Sequence, residues 1–156
     1  MINIEYKIKT LRKDDILNYL LCCNKDFIPV LDLNTDLNEF SDKIFENTIT
    51  FEAWNKQTLI GLTSAYFNDF ENQTGFINHV SVLKEYRRKH ISKSLLTQCI
   101  NYAIKKGFES IKLEVTKDNM AAIDLYNKLG FFSEKNINKK ILMKKQLLEK
   151  RNEKGL

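Results

Sequence analysis

Phe76-Ile77-Asn78-His79-Val80-Ser81-Val82, followed by Glu85-Tyr86-Arg87-Arg88-Lys89-His90, is the stretch on which the fold turns. The first run is apolar and β-branched enough for a buried strand, and the second is a charged turn. From Ile91 the apolar residues fall at Ile91, Leu95, Leu96, Cys99, Ile100 and Ala103, the spacing of one helical face. Gly107 stands where that helix should stop, because positive φ just past a C-terminus suits glycine. Ile111, Leu113 and Val115 alternate with Lys112 and Glu114 as a second strand. Asp118 or Asn119 can cap a further helix carrying Ile123, Leu125, Tyr126 and Leu129. A strand that leads into amides and cations at a helix start suits a phosphorylated ligand.

Toward the N-terminus, Ile4, Tyr6 and Ile8 alternate with Glu5, Lys7 and Lys9 as a strand, and Lys13 to Cys23 reads as a helix. Lys25 to Asp36 reads as a loop around Pro29, its apolar residues covering either the core edge or a ligand. Leu37, Phe40, Ile44 and Phe45 mark a second helix, with Asn34, Thr35 or Asp36 as its cap. Ile49, Phe51 and Ala53 turn at Asn55-Lys56-Gln57 and return through Leu59 to Tyr66 as a hairpin. Asn68 to Gly75 is a polar turn. Beyond Phe131, two poorer strands at about Phe131–Lys135 and Lys139–Lys144 flank Asn136-Ile137-Asn138. The predicted order is β-α-α-β-β-β-α-β-α-β-β, an α/β (α+β) fold with a mixed sheet and helices on both faces. Residues 1–148 read as a single domain and 149–156 as a charged, frayed tail.

The 156 residues are 43% hydrophobic, which excludes a disordered chain. Cys22 and Cys23 are adjacent and Cys99 lies on an apolar helical face. With no CxxC and 2 histidines no metal site is expected, and the three thiols read as buried in a reducing cytosol. No base stands evidently beside any of them, which weighs against a catalytic cysteine. The net charge of +5 comes partly from Lys139-Lys140, Lys144-Lys145 and Lys150-Arg151, so it does not mark a nucleic-acid binder. Met1-Ile2-Asn3-Ile4-Glu5 is not a signal peptide and no apolar run approaches membrane-spanning length. The expectation is a soluble cytoplasmic protein, monomer or homodimer, without a membrane partner.

Two segments resemble the GCN5-related N-acetyltransferase (GNAT) superfamily. Val80-Ser81-Val82 with Tyr86-Arg87-Arg88-Lys89-His90-Ile91-Ser92 is similar to its strand and Arg/Gln-x-x-Gly-x-Gly/Ala coenzyme loop. Asn119-Met120-Ala121-Ala122-Ile123-Asp124-Leu125-Tyr126-Asn127-Lys128-Leu129-Gly130-Phe131 is similar to its Asn-x-x-Ala-x-x-Leu-Tyr-x-x-x-Gly-Phe segment. His90 and Ser92 stand where the loop's glycines are usual. Backbone N–H donation survives that change if φ stays negative.

The resemblance implies a largely antiparallel GNAT sheet and an acetyl-CoA-dependent N-acetyltransferase. The alternative is a GNAT-fold binding module that holds coenzyme weakly or not at all. Coenzyme contacts are expected from Val80, Ser81 and Val82, from Arg87, Arg88, Lys89, His90, Ile91, Ser92 and Lys93, and from Asn119 and Tyr126. A solvated surface turn is the lesser alternative for the loop cations, and Asn119 could equally be a plain N-cap. Tyr126 matches the residue assigned as the acid that protonates the departing thiolate, unless it is simply a core tyrosine. Many relatives carry an acid where this chain has Asn78. His79 is then the nearest candidate base, although strand alternation turns it to the other face unless the strand bulges. The acceptor is expected to be a small-molecule primary amine, with a protein amine second. Its contacts should come from Phe27 in the loop Asp26–Asp36, from Tyr66, Asn68 and Asn78, and from the final hairpin.

Overall fold

A computed structural model of the chain describes residues 3–23 and 36–148. The elements are β1 (Ile4–Ile8), α1 (Lys13–Cys23), α2 (Leu37–Asn47), β2 (Ile49–Asn55), β3 (Thr58–Asp69), β4 (Thr74–Val82), α3 (Ile91–Lys105), β5 (Ser110–Thr116), α4 (Met120–Lys128), β6 (Phe132–Ile137) and β7 (Lys140–Gln146). The predicted order holds throughout. Among the described residues they form a seven-stranded sheet in the order β1-β2-β3-β4-β5-β7-β6, in which β4 and β5 alone run parallel. Phe27 and the other residues of 24–35 lie outside the described residues, as does the tail 149–156.

Helices cover both faces. Leu95, Leu96, Cys99, Ile100 and Ala103 of α3 pack on Phe51, Ala65, Ile77 and Ile111 of the sheet. The opposite layer joins Ile16, Tyr19 and Leu20 of α1 to Ile44 of α2 and Leu62 of β3. Helix α3 can lie close because Gly61 sits beneath it: a Cβ there would meet Ile91 Cγ2 and Leu95 Cδ1 at 3.2 Å. Asp36 caps α2, accepting from Asn38 N–H at 2.9 Å.

Two boundaries and one burial differ from expectation. Strand β3 continues to Asp69, because Tyr66 still pairs with Phe76 and Asp69 with Thr74. The last hairpin turns at Asn138-Lys139, where Asn138 takes the left-handed φ of +55° that a tight turn needs. Of the cysteines, Cys22 is exposed and only Cys23 and Cys99 are buried, since helical spacing turns Cys22 outward.

Glu52 of β2 is fully buried. It accepts from Thr10 N–H at 2.8 Å, the Thr50 hydroxyl at 2.7 Å and Trp54 Nε1 at 3.2 Å, with the Thr10 hydroxyl as a fourth donor. This carboxylate fixes the passage from β1 into α1. Glu52→Ala would strand those donors and should destabilise the protein by on the order of 3 kcal/mol in urea denaturation, with Glu52→Gln costing less. Equal, small losses in both variants would show that the network contributes little.

Candidate active site

The parallel ladder between β4 and β5 is short. It pairs Thr74 to Ile77 with Ser110 to Leu113 and then ends, although both strands continue. The gap opens into a cleft of ≈ 1040 Å³ bounded by Asn78–Val82, Leu113–Thr116, the start of α3, one face of α4 and Lys140. Which main-chain groups of β4 face it follows from the ladder on the other side. Leu83 N–H donates to Ile60 O at 2.8 Å. Alternation then turns Ser81 and His79 toward β3, and Val80 and Val82 toward the cleft. The carbonyl of Val82 is taken there by Arg87 Nε at 3.2 Å. The Val80 N–H lies on the open edge.

Strand β4 also bulges. Ser64 pairs with His79 but Ala65 pairs with Ile77, so Asn78 is the extra residue. Asn78 Oδ1 accepts from Ser64 Oγ at 2.8 Å. Asn78 and His79 therefore share a face, against the simple alternation expected. Ile77 packs in the α3 core, whereas His79 meets the Phe40 ring of α2 edge-on. His79 Nε2 lies 2.8 Å from Ser81 Oγ, which lies 2.9 Å from the Tyr19 hydroxyl of α1. Ser81, expected among coenzyme contacts, has its hydroxyl committed to this buried chain.

The far wall is built by the end of α4. Gly130 takes φ +97° and its N–H donates to Asn127 O at 3.0 Å, while Phe131 N–H reaches back to Tyr126 O at 2.9 Å. This Schellman arrangement brings the Tyr126 and Phe131 rings edge-on at 5.9 Å. Leu-Gly-Phe thus aims the tyrosine. Burial raises the Tyr126 hydroxyl to about 12, so it stays protonated at neutral pH. At the other end of α4, Asn119 Oδ1 accepts from Ala122 N–H at 3.2 Å as an N-cap, and Asn119 also lines the cleft.

The pattern of the acetyltransferase (GNAT) family matches residues 14–131. The chain belongs to this family. Its sequence is 32% identical over 91 residues to the N-alpha-acetyltransferase MAK3 of Arabidopsis thaliana, covering 57% of this chain and 47% of that protein. The chain thus spans less than half the length of the curated relatives it matches first. The PaiA N-acetyltransferase of Thermoplasma acidophilum, solved in complex with coenzyme A, superposes with a TM-score of 0.71 at 19% identity, covering 91% of this chain and 99% of that one. The ribosomal-protein-S18-alanine N-acetyltransferase of Escherichia coli gives 0.76 at 19%, covering 95% and 98%.

His90 stands where the GNAT loop usually has a glycine, and its backbone is left-handed. Its φ is +61° and that of Arg88 is +65°, both left-handed, so the condition of negative φ is not met here. The turn demands the conformation that glycine adopts freely, and histidine is held in it. Ser92 lies inside α3, where no glycine is required. Arg87, Arg88, His90, Ile91, Ser92 and Lys93 line the cleft, and Lys89 is exposed beside it. Tyr66 and Asn68 line a separate hollow of ≈ 220 Å³ with Phe76 and Lys112, so the structure does not bring them to Tyr126.

Two residues that the sequence reading passed over also line the cleft: Glu114 and Lys140, whose charged ends are 3.9 Å apart. Glu114 had looked like an ordinary outward strand position. Its signal was its place four residues after Ser110, just beyond the reach of the β4 ladder.

His90→Gly should relieve strain and raise stability by about 1 kcal/mol. An unchanged midpoint in urea would mean that the left-handed loop costs this histidine nothing. Burial lowers His79 from 6.5 to about 4, so the native imidazole is neutral where an unfolded one is charged. Between those values the unfolded chain binds the extra proton. Stability should therefore fall as pH drops from about 6.5 toward 4, by on the order of 3 kcal/mol in all. His79→Gln should flatten that part of the urea midpoint–pH curve.

Proposed function

We propose that this chain transfers an acetyl group from acetyl-CoA directly to a primary amine, with no covalent enzyme intermediate. The observation that carries this reading is one cleft holding the open edge of β4, the start of α3 and Tyr126 together. The volume and the cationic mouth suit coenzyme A. Amides at the α3 start with Arg87, Arg88 and Lys93 can receive its phosphates. The open edge of β4 offers main-chain groups to the amide-bearing arm, as an added strand would use them. The Val80 N–H can polarise the thioester carbonyl.

The balance of the reaction assigns two proton tasks. An ammonium acceptor must lose a proton before its nitrogen can attack. Glu114, at the mouth opposite α3, is the carboxylate suited to receive it and pass it to water. The carbon–nitrogen bond then forms and the carbon–sulfur bond breaks; Tyr126 donates a proton to the leaving thiolate and recovers one, through water, from the nitrogen as it becomes an amide. His79 is a poor base, since burial disfavours its charged form. The acceptor this reading favours is a small molecule.

Acetyl-CoA should raise the melting temperature in a concentration-dependent way. Tyr126→Phe should lower kcat by ~10²-fold or more while leaving the coenzyme Kd nearly unchanged. Wild-type turnover in that variant, under conditions where chemistry limits, would reduce Tyr126 to a core residue. Glu114→Gln should lower kcat/KM for the amine while leaving the coenzyme Kd nearly unchanged.

A further inference from the structure

The acceptor mouth carries an ion pair rather than a lone carboxylate. Leu113 and Val115 belong to the α3 core, so Glu114 between them turns to the opposite face. Across the ladder Glu114 pairs with Leu142 and Thr116 with Lys140, which sets Lys140 Nζ 3.9 Å from Glu114 Oε1. Both side chains are partly exposed and both line the cleft. The other carboxylate along this cleft, Asp124, sits on α4 and bridges Lys128 at 3.1 Å.

The rest of this face is basic. Lys112 and Lys144 share Glu134 at 3.0 and 3.8 Å, and Lys135 pairs with Leu142 in register. Four lysines (Lys112, Lys135, Lys140 and Lys144) thus face two glutamates (Glu114 and Glu134) among the described residues. An acceptor with several ammonium groups would be repelled here. A simple monoamine could displace Lys140 from Glu114 but would leave the Lys140 charge without an anion. A compound with a carboxylate one carbon from its amine meets both needs: its ammonium goes to Glu114 and its carboxylate to Lys140.

Resting on the N-acetyltransferase reading above, we infer that the acceptor is a free α-amino acid, held by Glu114 and Lys140 acting as a pair. A peptide N-terminus lacks the adjacent carboxylate and gains nothing from Lys140.

The test follows coenzyme A release from acetyl-CoA with matched acceptors: α-amino acids, their carboxamides, their decarboxylated amines, and short peptides. Calorimetric titration of acetyl-CoA runs alongside. The acids should exceed their amides in kcat/KM by about tenfold or more, the worth of one charge-assisted contact. Lys140→Gln should lower that acid-to-amide ratio about tenfold, and Lys140→Glu should reverse it in favour of diamines. Amides equal to acids in the wild-type protein, an unmoved ratio in Lys140→Gln, or turnover of peptides alone would each overturn the inference while leaving N-acetyl transfer standing. Absence of both acetyl-CoA binding and turnover would overturn the two readings together.

Discussion

The structure depends on a ladder that stops. Strands β4 and β5 share four residue pairs and then part, although each continues for several residues. A buried strand edge without partners is costly, because every unpaired N–H or C=O forfeits a hydrogen bond to water. The chain meets that cost in part itself: Arg87 takes the Val82 carbonyl. The bulge at Asn78 sits at the point of divergence, where an extra residue turns β4 away from its neighbour. What remains is a slot through the sheet with main-chain donors along one wall.

Around that slot the side chains are held by ordinary helix-end chemistry. Tyr126 is aimed by the Schellman turn at Gly130 and by the Phe131 ring, and Asn119 by its N-cap bond. The α3 start is set by two left-handed residues, Arg88 and His90. Each device is built into the folded chain by a helix end, a turn or a ring contact, so the site is organised before any ligand arrives. The exception is the Glu114–Lys140 pair, whose side chains are partly exposed and meet only loosely.

Much of this was legible in the sequence because it depends on local periodicity. All eleven elements follow from apolar spacing and turn residues, and the Leu129-Gly130-Phe131 ending pointed to Tyr126. What was hidden depends on register. The Asn78 bulge leaves no mark in a run of strand-forming residues, and it reversed the expected relation of Asn78 to His79. Glu114 and Lys140 meet only because β7 pairs with β5, a contact between distant segments. The left-handed φ of His90 was masked by a residue type that rarely adopts it. Tyr66 was expected on the acceptor side, and β3 runs on past it as a strand and carries it to a different hollow.

The shortness of the β4–β5 ladder also divides the sheet into two leaves. One leaf is β1 to β4 and the other is β5, β7 and β6, joined along the sheet by four rungs. Gly75 lies within those rungs, and a Cβ there would press into the Phe67 ring at 2.8 Å. The α3 core is laid across both leaves. Where the rungs end, at Ile77 and Leu113, the lining of the slot begins.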